Sequence, residues 1–339
     1  MSKQNPSRRI VIVSPALAAA NNGNWHTAHR WSRLLRDDYR VSVVAQWRSP
    51  DDGAADALIA LHARRSAASI DAFARAHPGR ALVVVLTGTD LYRDIHDDPE
   101  AQRSLHQATH LTALQEQGPQ ELPAALRGKC TVVFQSATRL APVHKPARRL
   151  RVVMAGHLRP EKDPLCFMQA AVRLAARPEF RFEHIGDALD PSLAAAARDT
   201  ERASLHYRWR GGLPRAATRQ RIRRAHLLVN ASRMEGGAQV VIEAVQSGTA
   251  VLASRIGGHV GLLGAEYAGF FEPGDADGLA RLVRRTHDEP SFLAALLAQG
   301  RQRATLFDPG AERASLLHLL HDALHDSGGA LPPLAKDTR

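Results

Sequence analysis

Cysteine is almost missing from this chain. Cys130 and Cys166 stand alone in 339 residues, which excludes a disulfide framework and a thiolate metal cluster. Aromatic residues make up only 5%, and no zinc-finger or RNA-recognition pattern accompanies them, so nucleic acid would find few stacking platforms. No apolar run approaches the roughly 20 residues that span a bilayer. Residues 1–9 are polar and lead straight into a strand, without the apolar core and small-residue cleavage site of a signal peptide. Acidic residues number 34 against 45 Lys and Arg, for a net charge of +11 and a pI near 10.5. The arginines are spread along helix faces rather than gathered into one basic patch, which argues against nucleic acid as a partner. These absences point to a cytoplasmic protein with two buried thiols, a solvated basic surface and a few cations reserved for phosphate.

What is present is a repeated alternation of short apolar runs and helical segments. Its 44% apolar content can fill two cores, and the length allows two domains. Residues 9–14 form a continuous apolar run, the mark of a parallel strand buried on both faces. The loop 15–24, with Asn21, Asn22, Gly23 and Asn24, leads into a helix predicted over 25–35. That puts Gly23 where backbone approaches a ligand in a first strand-to-helix turn. Strands at 40–47 and 56–61 and a helix at 66–76 precede the run 81–86. That strand discharges into Thr87-Gly88-Thr89-Asp90 at the carboxyl end of the sheet, where open α/β folds bind ligands; a turn capped by Thr89 and Asp90 reads equally well. Helices near 99–107 and 120–126 and strands at 110–114 and 130–134 complete the first half.

Residues 139–150, with Pro142, Pro146 and several basic side chains, break the alternation and read as a linker between domains 1–138 and 151–309. The second half restarts with a strand at 151–155, a loop at 156–163 and a helix at 164–176 with Pro at its start. Further strands fall at 181–185, 206–209, 227–230, 250–253 and 269–271. Helical segments occupy 275–289, 291–307 and 310–325, and the Gly- and Pro-rich stretch 326–339 reads as a frayed tail. The expected class is α/β: two Rossmann-like, doubly wound domains facing a cleft. No G-x-G-x-x-G follows either first strand, which sets aside a dinucleotide-dependent oxidoreductase.

The chemistry concentrates in Ser232-Arg233-Met234-Glu235-Gly236-Gly237-Ala238 and the helix predicted over 238–247, which carries Glu243. A strand, a glycine-bearing loop and a helix N-terminus bring two carboxylates beside free backbone N–H groups. A nucleotide sugar matches that set, with hydroxyls to donate and a pyrophosphate to accept. An acidic helix cap is the plainer alternative.

Four motifs in order resemble the retaining nucleotide-sugar glycosyltransferases of family four, which have the GT-B fold. Gly156-x-Leu158-x-x-x-Lys162 looks like the family's phosphate loop. Ser232-x-x-Glu235-Gly236 with Glu243-Ala244 is similar to its E-x7-E motif, and Ser247 to Ser254 and Gly257-Gly258 to the segment after it. The resemblance implies a UDP-sugar co-substrate and no metal or other cofactor. It implies that Lys162, with Arg159, neutralises the donor diphosphate, that Glu235 holds sugar hydroxyls and Glu243 ribose hydroxyls, and that Gly156, His157, Gly236, Gly237 and Ala238 line the donor cradle. It also implies that the helix 310–325 returns to the first domain. This chain departs from the family in carrying His157 where an Arg is usual, so that either Arg159 or a charged His157 would supply the second cation. It departs again in carrying Thr87 where many members have a histidine.

In the first half, residues 14–28 and 86–92 are similar to the selenosugar synthases within that family, which implies selenophosphate as acceptor and a UDP-sugar such as UDP-N-acetylglucosamine as donor. On this resemblance Asn22, Gly23, Asn24, His26, Thr87, Gly88 and Thr89 would bind the acceptor, with Arg30 or Arg93 nearby and Trp25 and Trp31 available to line a pocket. The resemblance implies neither a nucleic-acid nor a membrane partner. An ordinary hydroxyl acceptor is the alternative.

Overall fold

The structure, a computed structural model, describes residues 8–16, 23–48, 55–146 and 148–326. The chain divides into two compact units, one of residues 1–134 and 312–339, the other of residues 135–311.

Unit 1 is built on a parallel sheet of six strands: β1 (Arg9–Val13), β2 (Arg40–Val44), β3 (Ala57–Leu61), β4 (Ala81–Leu86), β5 (His110–Ala113) and β6 (Cys130–Val132), in the order β2-β1-β3-β4-β5-β6. The continuous apolar runs follow from burial on both faces. Val11, Val13, Leu58, Ala60, Leu82 and Val84 pack on one side with Ile70, Phe73 and Leu105. Their alternates Ile10, Ile12, Ala57, Ile59, Val83 and Val85 pack on the other with Ala28, Trp31 and Leu35 of the helix Gly23–Leu35.

The second face is completed by the helix Pro309–Asp326, whose Leu316, Leu319, Leu320 and Ala323 form one buried stripe at helical spacing. Four residues before Leu316 the stripe carries Glu312, which is buried. Its carboxylate accepts Trp31 Nε1–H at 2.7 Å and Arg30 Nε–H at 2.9 Å. Trp31 is therefore a core residue tied to a buried ion pair rather than a pocket wall, and Arg30 is committed to Glu312. The helix expected from 25 begins two residues earlier, so Gly23 and Asn24 sit in its first turn.

Unit 2 holds a second parallel six-stranded sheet. Its strands are β7 (Leu150–Ala155), β8 (Phe180–Ile185), β9 (Tyr207–Trp209), β10 (Leu227–Asn230), β11 (Ala250–Ser254) and β12 (Phe270–Phe271), ordered β12-β11-β10-β7-β8-β9. Relative to its own first strand this is the dinucleotide-fold order 3-2-1-4-5-6, with the direction of winding reversing between β7 and β10. In unit 1 the corresponding reversal lies between β1 and β3. In open sheets of this kind ligands bind outside the carboxyl ends of the strands at such a switch point.

Residues 135–146 have no regular secondary structure and are tied to unit 2. Ala137 N–H donates to Phe307 O, Leu140 N–H to Gln246 O, Arg223 Nε–H to Ala141 O at 2.7 Å, and Lys145 Nζ to Gly248 O at 2.9 Å. Burial lowers the Lys145 ammonium to about 8. Of the two thiols, Cys166 is buried and Cys130 is partly exposed; burial raises them to about 12 and about 11, so both stay protonated at neutral pH. No helix among the described residues is long and apolar enough to cross a membrane.

Candidate active site

Both chemically dense loops of unit 2 leave the sheet at its switch point. After β7, Gly156 N–H closes on Ile185 O at 2.8 Å. A 3-10 turn over Pro160–Lys162 then lifts Lys162 toward the loop after β10. The turn ends on Asp163, whose φ of +46° is left-handed, a conformation Asp tolerates better than most residues. Asp163 Oδ2 pairs with Arg233 Nη2 at 2.9 Å and Glu161 O accepts Arg233 N–H at 2.9 Å, so the two loops are stitched together.

Lys162 Nζ forms a short ion pair with Glu235 Oε1. The same oxygen is reached by Ser232 Oγ at 2.8 Å and Asn230 Nδ2 at 3.3 Å. No donor among the described residues is placed on Glu235 Oε2, which leaves a fixed carboxylate with one lone-pair face for a ligand hydroxyl. Burial would raise this carboxyl, but the Lys162 ammonium, His259 and the hydrogen bonds hold it at about 2. His259 is fully buried, donates Nδ1–H to Ser254 O at 2.8 Å, and has no partner on Nε2 among the described residues.

Eight residues on, Glu243 repeats the arrangement. It is 3% exposed, and Arg215 reaches its Oε1 through Nη2 at 3.0 Å and Nε at 3.3 Å, while Oε2 has no donor among the described residues. Each carboxylate is thus oriented by one cation through one oxygen. The helix bearing Glu243 spans Gln239–Val245, so Gly236, Gly237 and Ala238 form the turn ahead of it, and the Gly236 and Ala238 amides donate to no described residue. Gly258 makes this loop possible: a Cβ there would lie 2.0 Å from Glu235 O.

His157 Nδ1 accepts Asp187 N–H at 3.2 Å. An amide can only donate, so Nδ1 is unprotonated and the ring proton sits on Nε2. Arg159 is half-buried, and its guanidinium makes no ion pair with a described residue. Gly186 keeps this corner open, since its Cβ would meet Gly156 O at 2.0 Å and its φ is +150°. Two surface depressions, one around Trp47 and Arg75 and one around Arg173 and Arg281, contain none of these residues. Among the described residues no group of three or more His, Cys, Asp or Glu side chains is placed to hold a metal ion.

In unit 1 the loop after β4 is organised by Asp90. This fully buried carboxylate accepts Thr87 N–H and Gly88 N–H at 2.9 Å each on Oδ1, and Ala63 N–H at 3.0 Å on Oδ2. Asp90 thus caps the turn 87–90 through Oδ1 and, through Oδ2, also clamps it to the loop after β3. It consumes the backbone donors that Thr87 and Gly88 would offer an oxyanion. A short π-helical turn over Asp90–Asp94 follows. Arg93 is paired with Asp94 at 3.0 Å, so of the cations read as near an acceptor, Arg30 and Arg93 both have carboxylate partners. Gly23 is exposed, Asn24 and His26 are half-buried, Trp25 stacks on His29 at 5.2 Å, and Asn22 lies outside the described residues.

One residue of this region carries no signal in the sequence. His62, directly after β3 and 2% exposed, has a φ of +75°, which costs a non-glycine residue about 1 kcal/mol or more. Its Nε2 is 3.1 Å from Thr89 Oγ1, and its Nδ1 accepts Arg65 N–H at 3.3 Å.

Residues 135–303 match the family described as glycosyl transferases group 1. This stretch, just under half of the chain, is similar to a group 1 glycosyl transferase domain. No curated protein matches the chain in sequence. Among solved structures, sucrose-phosphate synthase from Thermosynechococcus elongatus superposes with a TM-score of 0.73 at 15% identity, over 94% of this chain and 99% of that one. Anabaena HepE gives 0.70 at 17% identity, over 93% and 100%. TarM of S. aureus gives 0.63 at 14% identity over 78% of this chain, which spans only 55% of the TarM chain. These likenesses show the fold, two Rossmann-like units of GT-B type. The matched stretch contains both switch-point loops of unit 2, and with them Gly156, His157, Arg159, Lys162, Glu235 and Glu243. Thr87, Gly88, Thr89 and His62 lie outside the matched residues.

Proposed function

We propose that unit 2 binds a UDP-sugar and that the chain transfers the sugar to selenophosphate, with UDP-N-acetylglucosamine as donor. The observation that carries the donor reading is the pair of buried carboxylates, Glu235 and Glu243, each held by a cation on Oε1 and open on Oε2. Sugar and ribose hydroxyls donate to such oxygens. The diphosphate, as the stronger anion, draws Lys162 toward itself, where the ammonium stabilises the charge that develops on the leaving oxygen. HepE in complex with UDP and glucose, and the pneumococcal O-GlcNAc transferase GtfA in complex with UDP and GlcNAc, support UDP as the nucleotide.

The acceptor reading rests on the likeness of residues 14–28 and 86–92 to selenosugar synthases, and on chemistry. A selenophosphate anion is a nucleophile without deprotonation, so the reaction has no need of a general base where the family places its histidine. A selenium lone pair forms the bond to the anomeric carbon as the bond to the UDP oxygen breaks and its electron pair leaves with UDP. Water then takes the phosphoryl group, giving the selenol and phosphate.

The test is mass spectrometry of the purified chain with UDP-N-acetylglucosamine and fresh selenophosphate, with UDP followed in parallel. A selenium isotope pattern on a hexosamine-sized product, rising with UDP, is the expected result. UDP release with no selenium incorporation overturns the acceptor, and no UDP release from any UDP-sugar overturns the donor.

A further inference from the structure

The strained histidine after β3 has a consequence for the acceptor end of the reaction. His62 Nδ1 lies 3.3 Å from the Arg65 amide, which can only donate, so Nδ1 carries a lone pair and the ring hydrogen is on Nε2. Nε2–H then donates to Thr89 Oγ1, 3.1 Å away. A hydroxyl that has accepted this bond retains one hydrogen, and no described residue accepts it. Thr89 is half-buried at the carboxyl end of β4, so that hydrogen is turned to the side where ligands approach.

We propose that His62 is a positioning residue that locks the Thr89 hydroxyl as an outward-facing donor for the anionic acceptor. The inference rests on the transfer to selenophosphate set out above. The groups around His62 fit the lock. Asp90 Oδ2 lies 3.9 Å from Nδ1 and Asp94 Oδ2 3.8 Å from Nε2, and either carboxylate alone would draw a second proton onto the ring. Both are already engaged, Asp90 by three backbone amides and Asp94 by Arg64 and Arg93. Burial, together with Arg65 and Arg64, lowers the histidine below its ordinary value and keeps it neutral. A neutral ring presents one hydrogen to Thr89, and the left-handed backbone at His62 aims the ring at β4 instead of along β3.

The lock also accounts for a departure noted in the sequence. Thr87 stands where a histidine is usual, and its N–H and hydroxyl both face Asp90. The polar group offered to the acceptor is therefore one step further on, at Thr89, and the histidine behind it comes from the neighbouring strand.

Two measurements test this. Nitrogen-15 spectra of histidine-labelled protein between pH 6 and 8 should show His62 as the neutral Nε2–H tautomer; an Nδ1–H or imidazolium signal overturns the lock. Kinetics of Thr89→Val, His62→Leu and the double variant should each show the KM for selenophosphate raised by about 5- to 10-fold, with the KM for UDP-N-acetylglucosamine unchanged and the double variant no worse than either single one. His62→Gln, whose amide can donate in place of Nε2, should recover most of the loss. Additive effects, or an unchanged acceptor KM in folded His62→Leu, overturn the proposal. If the wild-type chain releases UDP but incorporates no selenium, the acceptor assignment fails, and the nitrogen spectrum still decides the His62–Thr89 bond.

Discussion

Replacing Glu235 by Gln keeps the shape of the side chain and removes the charge on which Lys162, Ser232 and Asn230 converge. The carboxyl is held at about 2 in the folded chain against an ordinary 4.5. At about 1.4 kcal/mol per unit, that difference is worth roughly 3 kcal/mol of stability at neutral pH. The sign follows from the depression. The contribution is fully present above pH 4.5 and is lost as pH falls through the folded value, so about 1 kcal/mol remains near pH 3. Urea unfolding of the wild type and of Glu235→Gln, followed by a probe in unit 2 such as Trp209, should therefore show a gap of roughly 3 kcal/mol at pH 7 that narrows steadily on acidification. In the same variant, UDP release should fall by a factor of order 100, because a carboxamide cannot replace the charge that orients the donor. Equal stability of the two proteins at pH 7, or a gap that widens toward pH 3, would refute the assignment of Lys162 as the group that holds this carboxylate.

Two further outcomes follow from packing. Gly258→Ala puts a methyl group 2.0 Å from Glu235 O and 3.1 Å from its Cβ. The loop must move, and UDP release should drop at least 10-fold for a stability cost of about 1 to 3 kcal/mol; wild-type turnover would show that the loop position is not critical. Glu312→Ala removes the acceptor of Trp31 Nε1–H and the partner of Arg30. Calorimetry should register a loss of about 3 kcal/mol, smaller for Glu312→Gln, which still accepts from Trp31.

Much of the architecture is legible in the residues. Parallel strands buried on both faces must be apolar at every position, so runs such as Val83-Val84-Val85 announce themselves, and Pro or Gly marks the ends of several helices. Leu316, Leu319, Leu320 and Ala323 show their stripe at helical spacing, although the sheet face they cover is not written in the sequence. In unit 2, Glu235 and Glu243 stand out because two acidic residues flank a glycine pair between an apolar strand and a helix. Their cation partners differ in visibility: Lys162 belongs to a motif, whereas Arg215 lies 28 residues from Glu243 in a helix crowded with arginines, where no spacing singles it out.

Unit 1 is less legible, and for a physical reason. Its arrangement depends on one backbone angle and on one buried carboxylate. Thr87-Gly88-Thr89-Asp90 looks like a capped turn because Asp and Thr cap turns in most settings. Here Asp90 is 0% exposed and bonds Ala63 across two strands, which a local pattern does not encode. A histidine gives no sign in sequence that it will adopt a positive φ, a role glycine or asparagine would have advertised. The one clue was position: a polar residue directly after the fully buried strand Ala57–Leu61, at the strand beside the switch point, where a sheet of this topology places its ligands. Once the order β2-β1-β3-β4 is known, the loops that carry His62 and Thr89 leave the sheet side by side, because β3 and β4 pair in register from Ala57 with Ala81 to Leu61 with Val85. The strain at His62 is then the feature to explain, and a histidine held neutral against a threonine hydroxyl gives it a chemical purpose.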